Sequence, residues 1–186
     1  MSMLVAALVV TIRVYDLYGL SPDVRQEALA LAAQTLAHAG VQAIIVDCSG
    51  VAAATPCKTG LASGEIMLRI HRHPKDGDHV LGEAIVRGDS GPNTVATVYA
   101  AAIAERSRRD GTPLATLIGR VSAHEIGHLL LGTNVHAAHG LMQASWDVQR
   151  IARGDWDFTI EDAATIRRRL QPHEASRGLV ARAERP

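Results

Sequence analysis

The chain of 186 residues carries no net charge: nineteen basic and nineteen acidic side chains cancel. No long-range field therefore draws it to nucleic acid or to an anionic membrane surface. Against that balance the runs Arg106, Arg108, Arg109 and Arg167, Arg168, Arg169 read as solvated helix faces rather than binding patches. A long apolar stretch is missing too, so no stable membrane insertion is expected. The opening MSMLVAALVVTIRVYDLYG also lacks the basic start of a secretory signal. Because it runs straight into TIRVYD, it reads as the beginning of the first core strand, with room for a leader remnant within residues 1–10. Cysteine is scarce. Cys48 and Cys57 are the two present, and their spacing is not the CxxC of redox or zinc chemistry. Two thiols across the loop CSGVAAATPC fit one disulfide and an oxidising compartment. No repeat or low-complexity block occurs.

What remains is the composition of one ordinary domain, 47% hydrophobic and long enough to bury a core. We expect residues 1–171 to fold as a unit and 172–186, which lack an apolar period, to form a flexible tail. LVVTIRVYD alternates as a strand does. Ser21 and Pro22 then cap and start a helix whose apolar positions 24, 28, 31, 32, 36 and 39 recur at helical spacing until Gly40 stops it. VQAIIVDC supplies the second strand, and this strand, helix, strand unit predicts a right-handed crossover with parallel pairing. GEIMLRIH and HVLGEAIVRG are the third and fourth strands, around a turn flanked by His71, His73 and His79. No ligand partner sits among those three histidines at metal spacing, so they read as exposed loop residues. NTVATVYAAAIAERSRRD passes from strand to helix near Tyr99. Thr112 and Pro113 start the next helix, Gly132 ends it, and Thr159 caps the last one with Glu161 and Asp162 in its first turn.

The helix PLATLIGRVSAHEIGHLLL holds the chemistry. His124 and His128, four residues apart, share one helix face roughly 6 Å apart along the axis, so both imidazoles can reach one ion. Glu125, turned about 100° from His124, can approach a water on that ion without binding it. This is HExxH. In metal-assisted hydrolysis the ion acidifies the water and polarises the carbonyl, while the carboxylate moves the proton. Val121, Ile126, Leu129, Leu130 and Leu131 make the surroundings apolar, where unpartnered imidazoles would be costly and an ion relieves the cost. A catalytic zinc takes three protein ligands and keeps a fourth position for water. Beyond the Gly132 turn the candidates are Asn134, His136 and His139; histidine is the better ligand type, and His136, the nearer, is favoured over His139.

HEIGHLLLGTNVHAAHGLM resembles the metzincin clan of zinc peptidases, whose pattern is HExxHxxGxxH followed by a turn carrying methionine. Strict spacing would place glycine at 131 and the third histidine at 134, which are Leu131 and Asn134 here. Gly132 and His136 come one and two positions late. The resemblance implies that Met142 forms the Met-turn. It also implies an α+β, zincin fold: a twisted mixed sheet of about four to five strands, an N-terminal crossover helix, an active-site helix and a C-terminal helix. The strand LGEAIV would lie at the sheet edge beside the zinc and pair with an extended peptide. The same stretch is similar to small predicted secreted bacterial metallopeptidases, which implies an extracytoplasmic home.

The sequence thus predicts a zinc metalloendopeptidase acting on peptide or protein substrates, with one Zn2+ on His124, His128 and His136 and with Glu125 as general base. The alternative is a zinc-stabilised protein-binding module that has kept the site without cleaving. A three-histidine metal nuclease is disfavoured by the intact Glu125 and by the absence of a basic surface.

Overall fold

A computed structural model describes residues 8–50, 55–73, 80–87, 94–146 and 156–171. The leader remnant, His79 and the tail from 172 lie outside the described residues. Strand β1 (Leu8–Asp16) is followed by helix α1 (Pro22–His38), with Ser21 accepting the Val24 N–H at its start, and then by β2 (Val41–Asp47). Strands β3 (Glu65–His71), β4 (Gly82–Ile85) and β5 (Val95–Tyr99) complete the sheet. Helix α2 (Ala100–Asp110) continues β5 without a loop, and α3 (Leu114–Leu131) and α4 (Ile160–Leu170) follow.

The sheet order is β2-β1-β3-β5-β4. The first four strands are mutually parallel, and β4 runs antiparallel to β5 at one edge. Among the described residues, the mixed five-stranded sheet with four helices agrees with the α+β reading. Two boundaries differ from the sequence expectation. The fourth strand keeps only the middle four residues of HVLGEAIVRG. Helix α3 starts one residue late, with Pro113 at the cap position and no side-chain cap, because the Thr112 carbonyl is engaged by the Ser107 hydroxyl at 2.7 Å.

Alternation along the strands sorts side chains between two faces. Ile12, Val14, Leu68, Ile70, Ala96 and Val98 are fully buried and join α1 and α3 in one core. The two helices meet at small residues: a Cβ on Gly119 would stand 2.6 Å from the Ala28 carbonyl oxygen. On the opposite face Arg13 is buried. Its guanidinium donates to the Pro56, Thr59 and Gly60 carbonyls and to the Glu65 carboxylate. This fastens the loop that a Cys48–Cys57 disulfide closes.

The arginine runs divide by function. Arg108, Arg109 and Arg168 are exposed. Arg167, however, donates to the Ala39 carbonyl at 3.1 Å at the end of α1, and the Arg169 guanidinium lies against Gly132 at the end of α3. Cations at these positions complement the negative ends of both helix dipoles.

Candidate metal centre

Helix α3 buries its polar trio: His124, Glu125 and His128 are each 5–6% exposed. Gly132 (φ 68°) ends the helix, and the Gly132 and Thr133 N–H groups both bond the His128 carbonyl. That bend brings the Thr133 carbonyl to His128 Nδ1 (2.8 Å), while the Leu141 carbonyl meets His124 Nδ1 at the same distance. A carbonyl only accepts, so both imidazoles carry their proton on Nδ1. Their Nε2 atoms then present bare lone pairs to each other 3.0 Å apart, an arrangement without a proton to share.

His136 arrives from the loop after the bend. One ligand atom from each of His124, His128 and His136 lies within 4.8 Å of the other two, and these three form the potential metal cluster among the described residues. Asn134 and His139 are exposed, and His139 is not part of the cluster. Facing lone pairs on neutral imidazoles are a fit donor set for a divalent cation of borderline softness. Burial, followed by the neighbouring imidazoles, lowers the His124 pKa to about 4, and burial lowers that of His128. Both rings are therefore neutral near pH 7, as ligands must be. His71 and His73 stay apart from this centre; His71 Nδ1 bonds the His73 carbonyl instead.

Glu125 faces the sheet edge. Its pKa is raised to about 8, first by burial and then by the charge of Glu83. Gly82 of β4 presses on the same carboxylate: a Cβ there would fall 2.7 Å from Cγ and Oε1 of Glu125. Burial and a hydrogen bond to Glu83 hold the Tyr99 hydroxyl well above its ordinary pKa. The sequence places Tyr99 at the passage from strand to helix and gives no sign of its partner Glu83.

Met142 is 1% exposed, and its sulfur lies with Phe158 where a Gly127 side chain would be, each 2.7 Å from the virtual Cβ. The 137–143 turn is closed by the Ala137 N–H on the Met142 carbonyl (2.8 Å), and its Leu141 N–H bonds the Asp157 carbonyl (2.8 Å). Arg120 ties the same segment to the helices, donating to Trp156 O at 3.0 Å and Thr35 Oγ1 at 2.8 Å. The Leu141 carbonyl that orients His124 also accepts the Trp146 indole N–H at 3.2 Å.

Beside the three imidazoles opens a cavity of about 370 Å3, bordered by Gly82, Glu125, His124, His136, Trp146 and Arg106. Sequence reasoning missed Gly82 and Trp146, and it read Arg106 as part of a solvated helix face, whereas Arg106 bonds Asp110 and the Trp146 carbonyl at the cavity wall. A lone glycine inside a strand pattern marks a close backbone approach and could have exposed Gly82; nothing local signals the other two.

No protein-family model matches the chain, and no curated protein matches it in sequence. Among solved structures it is similar to archaemetzincin from Methanopyrus kandleri, with a TM-score of 0.53 and 13% identity, over 91% of this chain and 99% of that one. The likeness is one of fold.

Proposed function

We propose that the protein is a zinc-dependent metalloendopeptidase. One observation carries the reading: three imidazoles converge beside a buried glutamate at the wall of a cavity that a sheet edge borders. His124, His128 and His136 would hold the ion, with Met142 beneath them as the Met-turn. When bound, such an ion acidifies a water and polarises the carbonyl under attack.

The chain's own residues supply the remainder. Strand β4 has no neighbour on its outer side among the described residues. Since Leu81 O accepts the Tyr99 N–H, the alternating pattern turns the N–H and C=O of Gly82 and Ala84 away from β5. These groups can pair with an extended peptide and lay its backbone across Glu125. Glu125 Oε then takes the proton of the attacking water and delivers it to the leaving amine nitrogen. Its elevated pKa suits both halves of that transfer, because a group poised near the working pH gives and receives with similar ease. Trp146 and the Leu141 carbonyl keep His124 in the tautomer that leaves Nε2 free. The disulfide supports an extracytoplasmic setting. Among the described residues no helix is long and apolar enough to cross a membrane.

A closed structural site, as a binding module would use, needs a fourth protein donor. No fourth histidine, cysteine or carboxylate joins the three among the described residues. The test is metal analysis combined with peptide hydrolysis. Glu125→Gln is expected to keep about one zinc per chain and to lose at least about a hundredfold in rate. His136→Ala is expected to lose the metal, and His139→Ala to retain it. Undiminished hydrolysis by Glu125→Gln would remove the mechanism.

A further inference from the structure

The cavity has a chemistry of its own. Its lining includes Arg106 of α2, and Val121, Leu81 and Trp146 add apolar surface. Arg106 Nε donates to Asp110 Oδ2 and its NH2 group to the Trp146 carbonyl. The NH1 group makes no hydrogen bond to a described residue. Asp110, whose side chain is 6% exposed, neutralises the guanidinium locally. The pocket is therefore lined by a guanidinium held at two nitrogens, with a third nitrogen unengaged by any described residue, beside apolar walls and next to a balancing carboxylate.

We propose that this pocket receives the substrate side chain next to the scissile bond. It selects one that ends in an acceptor oxygen, glutamine or glutamate, through the Arg106 guanidinium. The apolar stem of such a side chain lies against Val121 and Trp146, and its terminal oxygen meets Arg106 NH1. A leucine fills the space but offers no acceptor oxygen to Arg106 NH1, so it forgoes the charge-assisted hydrogen bond that glutamine and glutamate make. Lysine and arginine bring only donors, with no acceptor for Arg106, and are refused. Because Asp110 balances the charge, selection is by hydrogen bonding, and glutamine and glutamate are taken within about tenfold of each other. The proposal deepens the peptidase reading and rests on it for the identity of the ligand.

The test uses the full chain loaded with zinc and a peptide series identical except for Gln, Glu, Leu or Lys at one position. Cleavage by the wild type is measured by mass spectrometry, and binding of the same peptides to Glu125→Gln by calorimetry. The expected result is a preference of about tenfold or more for Gln and Glu over Leu in both readouts. Arg106→Met, combined with Glu125→Gln for binding, should remove the preference or turn it towards Leu. Arg106→Lys, which keeps the charge without the planar fork, guards against a folding defect and should retain only part of it. Asp110→Asn should raise Glu above Gln. Equal handling of Gln, Glu and Leu by the wild type, or a preference that survives Arg106→Met, overturns the proposal. Selective binding without cleavage leaves the pocket assignment standing and removes hydrolysis; cleavage without selection does the reverse. Neither binding nor cleavage removes both.

Discussion

At Gly82 the edge strand and the helix meet with no room for a methyl group, since the nearest atoms of such a group's neighbourhood are Cγ and Oε1 of Glu125. Gly82→Ala must therefore push the carboxylate aside or bow the strand, at about 1–3 kcal/mol. Zinc content is expected to stay at the wild-type level while hydrolysis drops about tenfold or more; equal rates would show that Glu125 has slack the packing denies. At this scale the sequence was legible where contacts are local. His124 and His128 announced themselves by a spacing of one helical turn, and Gly132 by the left-handed conformation that a helix end needs (φ 68°). The position of His136 was harder to read, because two residues beyond the strict spacing are absorbed by a bend whose shape depends on the His128 and Thr133 hydrogen bonds. Arg106 was not legible at all. Its partner carbonyl belongs to a residue forty positions further on, and no period or motif connects them.

Among the elements, β1 and the passage from β5 into α2 at Tyr99 fell where alternation and propensity put them. Among the described residues the fourth strand is shorter because β4 pairs along Gly82–Ile85 with β5. Propensity alone does not report where pairing stops. The disulfide loop is a separable element. It packs through Pro56, Thr59 and Gly60 on Arg13, on the sheet face turned away from α3. Replacing Cys48 and Cys57 together by serine should lower the unfolding free energy by about 2–3 kcal/mol, measured by urea titration. Zinc content and hydrolysis below the transition should not change. A loss of metal in the folded variant would show that the loop reaches the site through the sheet.

For the whole molecule, the buried trio sets opposing dependences on pH. His124 and His128 stay neutral when folded but take protons in the unfolded chain below about 6.5. They withdraw stability from the metal-free protein as pH falls from there, His124 through about 4 and His128 through its own lowered pKa. Glu125 acts the other way: raised to about 8, it contributes most below about 4.5 and its contribution is lost as pH rises through 8. Chelator-treated wild type should therefore lose stability relative to Glu125→Gln across that upper window, by about 1.4 kcal/mol per pH unit at most. Parallel urea midpoints from pH 5 to 8 would remove the assignment.

The aromatic residues add a practical consequence. Trp146 and Trp156, the two tryptophans of the chain, stack edge to face at 5.2 Å, and Trp146 stands 5.3 Å from the His124 ring. All indole emission thus originates at one corner of the protein, within touching distance of the first imidazole. Filling or emptying that corner can be watched optically, with no dye attached and no assay of turnover.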